Sequence, residues 1–477
     1  MVVGDVATGT EVLVIGGGPG GYVAAIRATQ RGLDTTLVER DAYGGTCLTT
    51  GCIPSKALIT GASLAHEAGH AEEMGIYADP AVDLQAMMEW KEGVVERQTG
   101  GVEKLCKANG VNLIEGTARF EDEDTVRVAH GGEGRGSESV EFEHAVVATG
   151  SRPLELPGLP FADEPILDSA AALSLDTVPD RFVVVGAGYI GMELSTTFAK
   201  LGSEVTVVEM LDEVLPGYEA DVARVVRTRA EDLGIDFAFG EAASGWRDGA
   251  DGGYVLTTED EEGAESTYGA DRILVAVGRE PVTDTVGLDA IGLEPTEEGF
   301  VETDEECRTA VDGVFAVGDV AGEPMLAHKA SREGIVAAEV AAGEPAAFDN
   351  RAVPAAVFTD PEVATVGLTE AEAAEAGHDP VVGEMRFRAS GRAMTAGPHH
   401  TAGFVRVVAD EGTGIVLGAQ IVGPEASELI AEAALAVEMG ATLEDVGSTI
   451  HTHPTLSEAV MEAAENAQGQ AIHTLNR

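Results

Sequence analysis

The chain has 477 residues, 44% of them apolar, and its 83 acidic against 29 basic side chains leave a formal charge of −54. Such a charge repels nucleic acid and anionic membrane surfaces, which excludes both as partners, while the apolar share excludes a disordered acidic tail. No run of about 18 apolar residues marks a membrane span, the N-terminal MVVGDVATGTEVLVIGGG lacks a basic leader, and four cysteines in this length make no disulfide scaffold. The expectation is a cytoplasmic protein of about two to four domains.

The first predicted elements lie in EVLVIGGGPGGYVAAIRATQRGLDTTLVER: an apolar strand, a glycine-rich turn, a helix and a second strand. RFVVVGAGYIGMELSTTFAKLGSEVTVVEM repeats the plan. In the first copy Gly16, Gly18 and Gly21 lead to Glu39; in the second Gly186, Gly188 and Gly191 lead to Glu209. The carboxylate follows the first glycine by 23 positions in both. A single G-x-G-x-x-G is as easily a tight strand–helix turn. Two copies, each between strand and helix and each ending on a carboxylate, predict two bound dinucleotides. The first two glycines let the turn close and the backbone approach a pyrophosphate, the third seats the helix on the strand, and the carboxylate accepts ribose hydroxyls. Glu209 would repel a 2′-phosphate and no arginine stands among the next ten residues, which favours NAD over NADP there.

After the first unit, GGTCLTTGCIPSK sets Cys47 and Cys52 five apart. Pro54 suits the first turn of a helix, which places Cys52 near a helix N-terminus, where a thiol pKa falls. Four intervening residues permit a disulfide across one turn. The spacing by itself suits two reduced, packed cysteines equally well; beside a dinucleotide-binding turn, the redox-active pair is the expected reading. No further Cys or close His cluster completes a metal site, and Cys106 and Cys307 read as packing residues.

Residues 57–110 predict two helices. HAVVATGS (144–151) and RILVAVGR (272–279) match each other as strands crossing back under a dinucleotide, each with a glycine where the backbone passes close. A β-rich stretch with a polar loop precedes each, at 131–139 and 259–266. From about residue 351 the chain carries no glycine fingerprint. Strands (VPAAVFT, GFVRVVA, GIVLGAQIV) alternate there with amphipathic helices such as SELIAEAALAVEMG, whose Leu429, Ala433, Ala436 and Val437 share a face. Near the end, IHTHPTLSEAV offers His451, His453 and Glu458. Pro454 keeps the chain extended before a helix starts, and Glu458 could orient His453 as a base for thiol–disulfide exchange. From the residues alone His453 stands between that base and a surface histidine; His451, His399 and His400 read as surface side chains.

Together these segments resemble the flavoprotein disulfide reductases (class I pyridine nucleotide-disulfide oxidoreductases), most closely their dihydrolipoamide-oxidising branch. The likeness spans nearly the whole chain and is most specific in GGTCLTTGCIPSK, TAVDGVFAVGDVAG (309–322), PMLAHKA (324–330), VFTDPEVATVGLTE (357–370) and HTHPTLSEA (451–459). It implies an α/β fold of two Rossmann-like dinucleotide-binding domains plus a C-terminal α+β dimerisation domain. The implied division is an FAD-binding part at 1–152, an NAD-binding domain at 153–274, a second FAD or central part at 275–350 and an interface domain at 351–477.

The resemblance implies tightly bound FAD on Gly16, Gly18, Gly21 and Glu39, with Lys56, Ala118, Thr149, Gly150, Asp319 and Ala327 around it. It implies NAD on Gly186, Gly188, Tyr189, Gly191, Glu209 and Gly278. It also implies an obligate homodimer, with His453 and Glu458 reaching Cys47 and Cys52 of the partner subunit. Cys47 then exchanges with the substrate, Cys52 faces the flavin as a thiolate, and Lys56 pairs with Glu193. The implied substrate is dihydrolipoamide, free or on the lipoyl domain of a 2-oxoacid dehydrogenase-type complex, oxidised to lipoamide with NAD⁺.

Missing C-terminal cysteines set the chain apart from mercuric reductase and the large thioredoxin reductases, and Glu209 sets it apart from glutathione reductase. Three positions depart from the pattern: Tyr189 where an aliphatic residue is usual, Thr49 in place of Asn, and Thr452 in place of Ala. None removes a reacting group. An NADH-dependent reductase of another small disulfide is the alternative within the class. A flavoprotein scaffold subunit is the alternative outside it, disfavoured by the intact Cys47, Cys52, His453 and Glu458. The charge belongs to none of this chemistry. EDED (121–124) and EDEE (259–262) read as solvated loops, and the imbalance predicts a salt-rich cytoplasm, where a Debye length of about 3 Å at molar salt screens the repulsion.

Overall fold

The computed structural model describes residues 8–131, 136–250 and 252–476. The first seven residues of the N-terminal MVVGDVATGTEVLVIGGG and the middle of the 131–139 loop lie outside the described residues.

Strands apolar on both faces need cover on both sides. Thr8–Ile15 lies inside a seven-stranded sheet, parallel to Thr35–Glu39 on one side and to Ser137–Val147 on the other. Asn112–Glu115 extends the parallel part, Val314–Ala316 joins Ser137–Val147 in parallel, and antiparallel Thr125–Ala129 and Thr117–Asp122 complete the other edge. A second, wholly parallel sheet runs Asp236–Phe239, Glu204–Glu209, Arg181–Val185, Arg272–Val275, Ile166–Leu167. Val12, Leu13 and Val14 in one sheet, and Phe182 and Val184 in the other, are fully buried.

A helix follows each central strand, Pro19–Gln30 in one unit and Tyr189–Lys200 in the other. Ala327–Ala341 packs so closely on the first that a Cβ added to Gly334 would stand 2.3 Å from the Gly20 carbonyl oxygen. The two helices expected within 57–110 are Cys52–Gly69 and Leu84–Ala108; the first starts five residues early, with Pro54 in its first turn. A short helix at Gly45–Thr49, which carries Cys47, was not expected, because five residues show no period. The acidic stretch at 259–266 is half strand, a hairpin turn with its flanks: Tyr254–Asp260 pairs with Glu265–Ala270, and Asp260 Oδ1 closes the turn by accepting from the Glu262 and Ala264 N–H groups.

The C-terminal part is a five-stranded antiparallel sheet in the order Ala355–Val357, Glu362–Gly367, Val416–Gly423, Phe404–Asp410, Pro380–Arg386. Helix Ala426–Met439 buries Ala433, Ala436 and Val437 as expected, with Ile430 beside them and Leu429 half-buried. The fold is therefore α/β, with two Rossmann-like units and a C-terminal α+β domain. Basic side chains bridge the second unit to that domain. Arg406 reaches Glu219 at 2.8 Å and also Asp221, and Asp360 meets Lys200 at 2.9 Å and Arg229 at 3.0 Å. Burial alone would raise the Asp360 carboxyl, but the two cations hold it at about 2.

A Cβ on Gly383 would lie 2.0 Å from the Ala463 carbonyl oxygen, so helix Glu458–Ala467 rests directly on strand Pro380–Arg386. Gly383→Ala is expected to cost about 1–3 kcal/mol of stability, measured as a fall in melting temperature.

Candidate active site

The two glycine turns are nearly congruent. Gly16 and Gly186 have φ of +104° and +103°, a region that suits glycine. A Cβ there would meet the carbonyl oxygens of Ala148 at 2.3 Å and Ala276 at 2.6 Å. The close pass of the returning strands thus falls at these alanines, and Gly150 and Gly278 are open, with no atom within 4 Å of an added Cβ. On Gly21 and Gly191 a Cβ would sit 1.8 Å and 1.9 Å from the Gly16 and Gly186 carbonyl oxygens, so only glycine lets each helix seat on its strand. Gly18 and Gly188 differ: a Cβ there meets nothing closer than 4.0 Å, which leaves the helix N-termini approachable by a phosphate.

The carboxylates also brace the turns they face, a second role that spacing did not reveal. Glu39 accepts from the Gly17 N–H at 2.6 Å and the Asp41 N–H at 2.8 Å; Glu209 accepts from the Ala187 N–H at 2.7 Å and the Leu211 N–H at 2.9 Å.

A cleft of about 740 Å³ opens on the first turn and gathers Gly16, Gly18, Glu39, Ala118, Thr149 and Gly150. Asp319 and Ala327 line it from the later segment, and Cys47, Cys52 and Lys56 from the cysteine loop. Tyr189 and Glu193 enter from the second unit, together with Arg279. Gly21 lies behind the turn, and Gly186, Gly188, Gly191, Glu209 and Gly278 do not line this cleft.

Both cysteines are free thiols, Cys52 as the first residue of its helix. The hydrogen bond from the Cys47 thiol, with the Lys56 ammonium, overcomes burial and the nearby Glu193 and brings Cys52 down to about 7. The same bond and burial push Cys47 up. Of the two thiols, Cys52 is the readier to ionise.

Lys56 Nζ meets Glu193 Oε2 at 2.7 Å, the expected pair. Sequence reasoning missed the third member. The Phe358 ring lies 4.3 Å from Lys56 Nζ, and the Phe358 N–H donates to Glu193 Oε1 at 2.9 Å. One buried carboxylate thus joins both units to the C-terminal domain. Also missed were Ser151 and Arg279. The Ser151 hydroxyl donates to Asp319 at 2.5 Å, and Arg279 donates to the Ser151 hydroxyl and carbonyl oxygens, both at 2.7 Å. These two residues end the matching segments HAVVATGS and RILVAVGR, and that match was the one available signal. Behind Asp319, Glu333 accepts from the Gly318 N–H at 2.7 Å and pairs with Lys329 at 2.6 Å.

His453 Nδ1 lies 2.9 Å from Glu458 Oε1, and Glu458 Oε2 accepts from the Thr455 N–H at 2.8 Å. Burial works against the charge on Glu458, but the Thr455 N–H and His453 hold it below the usual carboxylate range. The His453 side chain is 82% exposed, and neither it nor Glu458 lines the cleft of its own chain. His451 is not the surface side chain expected. It is 6% exposed, with Nε2 2.8 Å from Glu432 Oε1 and Nδ1 2.8 Å from the Thr449 carbonyl oxygen, because the loop turns it inward. His399 is exposed and His400 half-buried. Among the described residues no helix is long and apolar enough to cross a membrane.

The sequence profile described as pyridine nucleotide-disulphide oxidoreductase matches residues 10–334, and that of its dimerisation domain matches 353–464. The chain is 72% identical to the dihydrolipoyl dehydrogenase of Haloferax volcanii and 68% identical to that of Halobacterium salinarum, each across the whole of both chains. Among solved structures, LpdA from Mycobacterium tuberculosis matches with a TM-score of 0.87 at 30% identity, over 95% of this chain and 99% of that one. The HOCl-induced flavoprotein disulfide reductase RclA from Escherichia coli matches at 0.84 and 25% identity, over 95% of this chain and 99% of that one. With the doubled glycine turn and the cysteine pair beside the cleft, these matches place the chain in its family: it belongs to the pyridine nucleotide-disulphide oxidoreductases.

Proposed function

We infer that the chain is a dihydrolipoamide dehydrogenase, oxidising dihydrolipoamide to lipoamide with NAD⁺ through FAD and the Cys47–Cys52 pair. The observation that carries the reading is that pair: one thiol brought down to about 7, the other pushed up, both on the cleft that the first glycine turn opens. The 72% identity to a dihydrolipoyl dehydrogenase supplies the substrate.

The residues fit both cofactors. The large cleft would hold FAD, with the Gly18 helix terminus for its pyrophosphate and Glu39 and Asp319 for hydroxyls, and the second turn would hold NAD, with Glu209 for its ribose. Bound there, FAD would supply the two-electron chemistry that links the dithiol to NAD⁺. The chain's own residues manage thiols and protons. A substrate thiolate attacks Cys47 in the Cys47–Cys52 disulfide, forming a mixed disulfide and releasing the Cys52 thiolate. The second substrate thiol then displaces Cys47 from the mixed disulfide, and lipoamide leaves. His453, held by Glu458, takes the proton of the attacking thiol.

The division of the chain for these tasks at about residues 152, 274 and 350 follows from the resemblance. The matched dimerisation domain supports a homodimer. That His453 and Glu458 lie outside their own chain's cleft supports their acting on Cys47 of the partner subunit. The remaining partner is a lipoyl group, free or carried by a 2-oxoacid dehydrogenase-type complex in the cytoplasm.

Titration with NADH or dithionite in molar salt tests the reading. Long-wavelength absorption of a thiolate against oxidised flavin is expected at two electrons per subunit, and its absence overturns the mechanism. Negligible turnover of dihydrolipoamide beside rapid turnover of another small disulfide would instead move the substrate. Glu209→Ala is expected to raise the KM for NAD⁺ about 10- to 100-fold, the worth of hydrogen bonds to a charged group, with flavin content unchanged.

A further inference from the structure

We propose that His451 is a positioning residue for thiol exchange, holding the loop that carries His453 through a pair with Glu432. The proposal rests on reading His453 and Glu458 as the base of that exchange.

From Ser448 to Pro454 every residue is exposed except His451. Ile450, beside it, is 97% exposed in the single chain, so no apolar packing within that chain secures the run. His451 alone turns inward, its side chain 6% exposed. Its Nδ1 faces the Thr449 carbonyl oxygen at 2.8 Å and its Nε2 faces Glu432 Oε1 at 2.8 Å. Both partners offer acceptor oxygens, so each ring nitrogen faces a bonding atom and the ring plane is set from two sides.

Glu432 lies on helix Ala426–Met439, and Thr449 ends helix Leu443–Ser448. One side chain therefore pins the chain leaving one helix to the flank of another. The other end of the loop is secured separately: the Thr455 hydroxyl donates to the Thr452 carbonyl oxygen at 2.7 Å, and the Thr455 N–H donates to Glu458 at 2.8 Å. His453 hangs between these two anchors. A hydrophobic residue at 451 would fill the same pocket without fixing the direction in which the backbone leaves it; two bonds to a planar ring fix that direction. Misplacing a proton acceptor by about 1 Å at a reacting thiol costs about 10²-fold.

Rapid mixing of the FAD-loaded dimer in molar salt separates the two half-reactions, flavin reduction by dihydrolipoamide and by NADH. His451→Ala is expected to slow the first about 10- to 100-fold and to leave the second, and the flavin content, unchanged. Adding Glu432→Ala to it is expected to slow exchange no further, since the two act as one pair. Should His451→Ala fail to fold, Glu432→Ala alone removes the pair from the other side. A smaller slowing confined to the dihydrolipoamide half-reaction supports the proposal, and no slowing overturns it. Equal losses in both half-reactions, or unchanged exchange in His451→Ala, also overturn it. His453→Gln separates the two failures. If it leaves exchange intact, the assignment of the base falls; if it slows exchange and His451→Ala does not, only the proposal falls.

Discussion

Replacing Cys52 with serine is expected to cut dihydrolipoamide oxidation by about 10⁴-fold or more, the scale of losing a reacting group from a set that works as a unit. Three features make Cys52 the thiolate: its place as the first residue of helix Cys52–Gly69, the hydrogen bond from Cys47 and the Lys56 ammonium. A serine hydroxyl in the same surroundings neither ionises near neutral pH nor closes a disulfide. The long-wavelength absorption should vanish with it while flavin stays bound. Cys47→Ser separates the two roles. Turnover is again lost, but a hydroxyl still donates to Cys52, so the thiolate and its absorption are expected in the enzyme before any reductant is added. Retention of either turnover or absorption in Cys52→Ser would sink the assignment.

The second large effect is on the fold itself. The chain is expected to lose its structure as salt falls below about 0.1 M, where the Debye length grows to about 10 Å and surface carboxylates feel one another. The acid is where such repulsion acts: Glu121, Asp122, Glu123 and Asp124 are all exposed, as are Glu259, Glu261 and Glu262. Contacts such as Arg406 with Asp221 and Glu219, with the arginine side chain 12% exposed, are screened far less, so salt should not weaken what joins the domains. Thermal melts from 10 mM to 2 M KCl measure the effect. An unchanged melting temperature across that series rules out the solvent as the reason for the charge.

Much of the site was legible because its parts are local. The glycine turns announce themselves since no other residue fits a Cβ position 1.8 or 1.9 Å from a carbonyl oxygen. The cysteine pair was legible from its spacing and from Pro54, and His453 with Glu458 from five positions of separation. Lys56 with Glu193 came only through the family resemblance, for the two stand 137 positions apart. Contacts that were missed lie outside any period. Phe358 reaches Glu193 across 165 positions, and Arg279 reaches Ser151 across 128. His451 failed for another reason: three residues before a proline and next to Thr452, its sequence context is that of a surface side chain, and only the loop's turn buries it.

Gly16, Gly18, Gly21 and Glu39 each recur 170 positions later as Gly186, Gly188, Gly191 and Glu209, with first-glycine φ values one degree apart. The chain is thus its own relative, and a comparison between its halves does what an alignment does between proteins. Two sockets of the same make cannot by themselves account for one ligand that stays and another that comes and goes. Residence must be set by the walls around each socket. The first is overlaid by helix Ala327–Ala341 and by the segment bearing Asp319, both on the cleft; the second turn lies outside that enclosure. Exchanging residues within the turns should therefore alter both affinities alike, whereas the difference in dwell time between the two cofactors belongs to the roof.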